Sequence, residues 1–148
     1  ETFPQLKFVI AGSGDMSDYA EQVSVLGSKL VVINRWIAEE AIQQFFVNAD
    51  VCVLPYLDST QSGVIPIALS MGVPIVITPS DGLVNQLPCG VGLVASDFSA
   101  DAVSSATVEM ISNAAQYEIF STNALDYSRS AERSWEQQAT ALAVFYQE

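Results

Sequence analysis

The chain contains no histidine. That absence removes every Ser/His/Asp triad, every Cys/His pair and every histidine-ligated metal from consideration within its 148 residues. Any acid or base chemistry must use another group or import one. Cations are nearly as scarce: Lys and Arg total 5 against 17 for Asp and Glu, a formal charge of −12, with a pI near 4.1. A surface of that sign disfavours nucleic acid and anionic membranes as partners. The cations are also unevenly placed, Lys7, Lys29 and Arg35 coming early and none following before Arg129. An anion held mid-chain must therefore rely on backbone N–H groups or on Arg35. Two cysteines, Cys52 and Cys89, are too few for a disulfide scaffold, and Cys52 lies in an apolar run that suits a reduced core thiol. No apolar stretch reaches the roughly 18 residues of a membrane span, and the first twelve residues lack the charged start and cleavage site of a secretory signal. The expectation is a cytoplasmic chain with no transmembrane segment. It opens on Glu1 rather than Met, with Pro4 close behind, and reads as a fragment of a longer chain.

What is abundant is apolar side chain, 50% of residues with a mean hydropathy of +0.32. That suffices for a sizeable core in a single domain covering residues 1–148. Five short runs, residues 7–11, 30–34, 50–54, 74–78 and 91–95, are apolar on both parities and rich in Val and Ile. This pattern predicts strands buried on both faces, as in a parallel sheet. Between the second and third runs, residues 37–47 place Ile37, Ala38, Ala41, Ile42, Phe45 and Phe46 at helical spacing. Strand and helix alternate, which predicts an α/β Rossmann-like domain with a mostly parallel sheet, helices on both faces and right-handed crossovers. In the last third, Ser99 and Asp101 start a helix with an apolar face of Val103, Val108 and Ile111, and Trp135, Ala139, Leu142 and Phe145 form a second stripe. Both stripes read as packing faces. No repeat, low-complexity tract or linker marks a second domain.

Ligands of open α/β sheets bind beyond the carboxyl ends of the strands, so the loops after the predicted strands are the candidate site. The first, Gly12-Ser13-Gly14-Asp15-Met16-Ser17, matches part of the dinucleotide fingerprint but has Ser17 at the third glycine position. Its glycines serve equally a tight strand-to-helix turn or the close approach of a ligand. The second strand ends in Asn34-Arg35-Trp36, placing a cation at a carboxyl edge where a nucleotide or phosphate could meet it; a surface pairing with Glu39 or Glu40 is the alternative. The third leads through Pro55-Tyr56-Leu57-Asp58 into Ser59-Thr60-Gln61-Ser62-Gly63 and the apolar segment from Val64 to Met71. If helical, that segment is a central buried helix, with Pro66 tolerated in its first turn. The unpaired N–H groups at its start, those of Ser62, Gly63 and Val64, would meet an anion without any lysine. Ser62 or Thr60 could instead simply cap the helix. After the fourth strand, Pro79-Ser80-Asp81-Gly82-Leu83 predicts a turn into a short helix capped by Ser80 or Asp81.

Read together, Phe8-Val9-Ile10-Ala11-Gly12-Ser13-Gly14, Ala49-Asp50-Val51-Cys52-Val53-Leu54-Pro55-Tyr56, Thr60-Gln61-Ser62-Gly63-Val64, Gly72-Val73-Pro74-Ile75-Val76 and Ser134-Trp135-Glu136 resemble the carboxy-terminal half of family-four (group 1) GT-B glycosyltransferases. The likeness covers almost the whole chain. It implies a hexosyltransferase donor domain that binds a nucleotide sugar, such as a UDP- or GDP-sugar, and transfers the sugar without a bound metal or other cofactor. The acceptor, a sugar, lipid or protein, would be held by a separate amino-terminal domain, through which the enzyme could also meet a membrane peripherally. Carried over by position, Gln61, Ser62, Gly63 and Val64, with Thr60 and Tyr56 beside them, match the loop that holds the donor diphosphate and sugar. Arg35 and Trp36 match the segment near the base, and Gly12, Ser13 and Gly14 the turn lining the cleft. The one catalytic candidate is Gln61.

Three departures accompany the likeness. The family's E-x7-E pair falls on Thr60 and Ala68, or in the other register on Ser59 and Ile67. The diphosphate-clamping Arg and Lys belong to a strand and helix that would precede this chain. Asp81-Gly82-Leu83-Val84-Asn85 stands where the family often has Gly-Gly-Leu-Pro-Glu. The expectation is that this chain alone is inactive. Competing readings are an NADP-type dinucleotide-binding domain, with Arg35 meeting the 2′-phosphate, and a glycosyltransferase-like interaction module without catalysis. A phospho-acceptor receiver, suggested by Asp58 and Thr78, lacks its acidic pair after the first strand and its lysine after the fifth.

Overall fold

In a computed structural model the described residues are 3–130 and 135–145. Strands form at β1 (Phe8–Gly12), β2 (Leu30–Asn34), β3 (Cys52–Leu54), β4 (Ile75–Ile77) and β5 (Gly92–Val94), each inside or within one residue of a predicted run. Helices follow as α1 (Ala20–Leu26), α2 (Glu39–Phe46), α3 (Val64–Ser70), α4 (Asp81–Gln86), α5 (Ala100–Ser112), α6 (Ala114–Arg129) and α7 (Trp135–Phe145). The chain divides into two compact units, the first ending at Ile42 and the second beginning at Gln43.

In the first unit β1 and β2 pair in parallel, Phe8 opposite Leu30 and Gly12 opposite Asn34, so the strands end level. The predicted burial on both faces fails here: Phe8, Val9 and Ile10 of β1 are 44%, 57% and 44% exposed. A sheet's faces are buried only by elements packed on them, and α1 in this unit has no buried residue. Amphipathic α2, which spans the boundary between the units, behaves as its spacing predicts, with Ala41, Ile42, Phe45 and Phe46 half-buried and its Glu and Gln residues exposed.

The second unit carries a parallel sheet ordered β3-β4-β5, with Cys52 opposite Ile75 and Ile75 opposite Gly92. Its central strand is wholly buried and its side chains alternate between two cores. Ile75 and Ile77 pack with Cys52, Leu54, Ile65, Leu69, Leu83 and Ala124 on one face. Val76 packs on the other with Ala95, Ala102, Ala106, Met110 and Phe120. Each Val, Leu, Ile, Met or Phe side chain among them that is removed from water contributes about 1.5–3 kcal/mol. Helices thus cover both faces of this sheet, and α6 feeds both cores through Phe120 and Ala124. Cys52 is the expected core thiol, its pKa pushed up to about 12 by burial.

Three packing expectations are corrected. Helix α3 is buried along Ile65, Ala68 and Leu69 only, while Pro66, Ser70 and Met71 are exposed; its hydrophobicity runs further round than its covered face. On α5, capped by Ser99 Oγ accepting from the Ala102 N–H at 3.1 Å, the buried stripe is Ala102, Ala106 and Met110, and Val108 is exposed. Val108 stands two residues from both Ala106 and Met110, which in a helix places it on the opposite side from that stripe. In α7, Ala139 and Leu142 are exposed, so that stripe is not a packed face there; the side chains of Trp135 and Phe145, and all of Ser134, lie outside the described residues. Helix α6 was not anticipated. Its side chains also fasten neighbouring turns, Ser121 Oγ donating to the Gly72 carbonyl (2.7 Å) and Asn123 Nδ2 to that of Gly90 (2.8 Å).

Candidate functional site

The candidate residues fall into two groups, one in each unit. In the first, level strand ends set Gly12, Ser13 and Gly14 beside Asn34, Arg35 and Trp36. Gly12 has φ +146°, a conformation that requires glycine, so this turn does what its sequence suggests. The side chain of Asn34 then fastens the turn from the neighbouring strand. Its Oδ1 accepts from the Gly14 N–H at 3.0 Å, and its Nδ2 donates to the Gly14 carbonyl at 2.8 Å. Next along the loop, Asp15 accepts from the Ser17 N–H (2.9 Å), and this bond holds the Asp15 carboxyl below the usual range. Arg35 is exposed, and Trp36 is 83% exposed.

In the second unit, Tyr56, Thr60, Gln61, Ser62 and Gly63 lie along one loop running from β3 to α3, which Val64 opens. Thr60, Gln61 and Gly63 are exposed, Tyr56 and Val64 half-buried, and Ser62 buried at 5% exposure. Two of the three N–H groups expected to face an anion are already bonded within the protein. The Ser62 N–H donates to Gln86 Oε1 at 2.7 Å, and the Val64 N–H to Ser62 Oγ at 3.3 Å. Ser62 therefore does serve the helix start, from the position just before the cap residue Gly63. Gly63 has φ −67°, and a Cβ built on it meets nothing within 4 Å, so its surface stands open.

The rest of the loop is held by the turn after β4, whose residues carry no motif of their own. Buried Thr78 donates its hydroxyl to the carbonyl of Tyr56. That placement withdraws it from the solvent-facing role a receiver domain would need. Ser80 Oγ, rather than capping α4, donates to the Ser59 carbonyl at 3.3 Å. At Gly82 a Cβ would stand 2.0 Å from the Ser59 oxygen and 2.6 Å from the Thr60 carbonyl, so only glycine lets α4 lie against the loop. Gln86 completes the contact, its Nε2 donating to the Ser62 carbonyl at 2.8 Å. The only forewarning of these roles was a glycine one residue inside a predicted helix. A separate concavity of about 170 Å³ lies between α3 and α6, lined by Pro66, Leu69, Ser70, Gln86, Tyr127 and Ser128.

Among the described residues no three or more His, Cys, Asp or Glu side chains gather in a metal-holding group, and no helix is long and apolar enough to cross a membrane. Along residues 59–63 the available chemistry is that of neutral hydrogen-bonding groups, with exposed Asp58 just before them and exposed Asp81 on α4, whereas the loops of the first unit carry Asp15 and Arg35.

Parallel sheets, helices on both faces and polar glycine-containing loops at the carboxyl strand ends make up a fold found in GT-B glycosyltransferases. The structure resembles sucrose-phosphate synthase from Thermosynechococcus elongatus with a TM-score of 0.78 and 21% identity, over 99% of this chain and 39% of that one. It also resembles Anabaena HepE, solved in complex with UDP, with a TM-score of 0.74 and 16% identity, over 97% of this chain and 42% of that one. The chain belongs to the family of group 1 glycosyl transferases, which matches residues 1–113. An uncharacterized glycosyltransferase of Methanocaldococcus jannaschii is 35% identical over 81 residues, 53% of this chain and 21% of that protein. The chain therefore spans well under half the length of these relatives.

Proposed function

We propose that these residues form the donor-binding part of a cytoplasmic glycosyltransferase, taking a nucleoside-diphosphate sugar and presenting it, without a bound metal, to an acceptor held elsewhere in the enzyme. The observation that carries this reading is the loop from Thr60 to Val64, exposed at Thr60, Gln61 and Gly63 on the carboxyl side of a buried parallel sheet, in a chain of this family. The HepE structures with UDP and with UDP-glucose support the class of ligand. In this reading the Gly63 N–H meets the diphosphate, and Thr60 or Gln61 hydrogen-bonds the phosphate or sugar. Such fixed dipoles stabilise charge on the departing nucleoside diphosphate without transferring a proton. No Lys or Arg occurs between Arg35 and Arg129. The loop thus supplies shape and neutral donors, and most of the countercharge for a diphosphate comes from outside it. By itself the chain then binds donor without completing transfer.

The test is a thermal-shift panel with UDP, GDP, ADP, their common sugar conjugates and NADP, since a ligand that prefers the native state raises the melting temperature by mass action. Stabilisation by one nucleoside diphosphate, lost in Gly63→Val, is the expected result. The open space at Gly63 lets that variant keep its fold while obstructing the ligand. A shift with NADP alone would replace this reading with dinucleotide binding, and undiminished binding by Gly63→Val would remove the loop from the site.

A further inference from the structure

We propose that Gln86 is a positioning residue for the loop formed by residues 59–63, fixing its backbone at Ser62 so that Thr60, Gln61 and Gly63 are presented in one shape; this role rests on the donor-site reading. Both polar groups of one backbone residue are taken by one side-chain amide, the Ser62 N–H by Oε1 at 2.7 Å and the Ser62 carbonyl by Nε2 at 2.8 Å. A carboxylate could accept but not donate here, and an aliphatic side chain could do neither. Ser62 is the buried residue of the loop, whereas Gln61 and Gly63 on either side are exposed. The amide thus pins the middle of the loop and leaves its flanks to solvent.

The fastening extends along the same element. Ser80 reaches the Ser59 carbonyl, Gly82 lets the helix touch Ser59 and Thr60, and Gln86 holds Ser62. A loop ordered before the ligand arrives spares binding the entropy of ordering it. The arrangement also bears on which amide a ligand meets: with the Ser62 N–H engaged by Gln86 and the Val64 N–H by Ser62 Oγ, the remaining N–H of the three is that of Gly63, an exposed residue.

The experiment compares wild type with Gln86→Leu, Gln86→Glu and, as a control on the exposed side of α4, Asn85→Ala. Residue-resolved amide exchange in the unliganded protein is measured alongside titration with UDP, GDP and ADP. In Gln86→Leu the Ser62 amide should exchange about tenfold faster or more, and the affinity for the nucleotide that wild type binds should fall about tenfold, the scale of one lost net hydrogen bond or two. Exchange at Ile75, Val76 and Ile77 in the core should stay as in wild type, which a merely structural defect would not allow. Gln86→Glu, keeping only the acceptor, should retain part of the Ser62 protection, and Asn85→Ala all of it. Unchanged Ser62 exchange in Gln86→Leu, or wild-type affinity in that variant, overturns the proposal. If wild type binds none of the three nucleotides, the donor reading fails, and the Ser62 exchange still decides whether Gln86 holds the loop.

Discussion

A methyl group added at Gly82 probes the contact between α4 and the candidate loop directly. In Gly82→Ala the new Cβ would lie 2.0 Å from the Ser59 carbonyl oxygen and 2.6 Å from the carbonyl carbon and oxygen of Thr60, all of them backbone atoms. Normal contact lies near 3.5 Å, so helix and loop must separate by roughly 1 Å or more. That movement carries the Gln86–Ser62 pair, now at 2.7 and 2.8 Å, and the Ser80–Ser59 bond at 3.3 Å, to or beyond hydrogen-bonding range. Three bonds at about 1 kcal/mol each and about 1–3 kcal/mol of overpacking, reduced by whatever the loop recovers on relaxing, give a destabilisation of about 3–5 kcal/mol. This is a large part of the about 5–15 kcal/mol by which domains are stable. The measurement is urea unfolding followed by circular dichroism, with Gly63→Ala as the partner variant. Gly63 has helical angles and open space around its missing Cβ, so Ala there should stay within about 1 kcal/mol of wild type. A Gly82→Ala protein as stable as Gly63→Ala would show that α4 does not bear on the loop, and the argument for the fastening would fall with it.

Cys89 should react at once with a thiol reagent and buried Cys52 only on unfolding, so two equivalents labelled at equal rates would contradict the core placement. The Cys52 thiol ionises near pH 9 in an unfolded chain but at about 12 in the native one, so its contribution is intact below pH 9 and declines as pH rises through that window. Relative to wild type, Cys52→Val should therefore gain stability between pH 9 and 11, and a constant difference across that range would refute the assignment. Thr78→Val removes the donor to the Tyr56 carbonyl at a site 1% exposed and should cost about 1–3 kcal/mol in chemical denaturation. Asn34→Leu removes both bonds to Gly14 and should abolish exchange protection of the Gly14 amide, with Asn34→Asp keeping part of it; an unaltered Gly14 amide would deny the role given to Asn34.

The strands were legible because Val and Ile on both parities leave few alternatives, and β2 emerged with the predicted bounds, Leu30–Asn34. The start of α5 was legible for a local reason, since Ser99 caps it through its own side chain. Burial was harder to read. The pattern of β1 says that its side chains are apolar, not whether a covering layer is present, and Val9 is 57% exposed. Helix α6 is not legible in the sequence because it serves two cores at once through Phe120 and Ala124 and so shows no single clean stripe. At the candidate site, the family motif picked out the loop of residues 60–64. Its supports were invisible because hydrogen bonds spanning 24 residues, such as those between Gln86 and Ser62, leave no periodicity to find.

Asn34 and Gln86 share a property that bears on how these loops can change. Each grips an N–H and a C=O, the two groups nearly every residue offers alike, and neither bond asks anything of the side chain at position 14 or 62. Shape and chemistry are thereby held by different atoms. The exposed side chains at Thr60 and Gln61 can be exchanged, by evolution or in a combinatorial library, while the main chain beneath them keeps its course. Under the donor-site proposal, a search for altered ligand preference would vary positions 60 and 61 and leave Gln86 and Gly82 untouched.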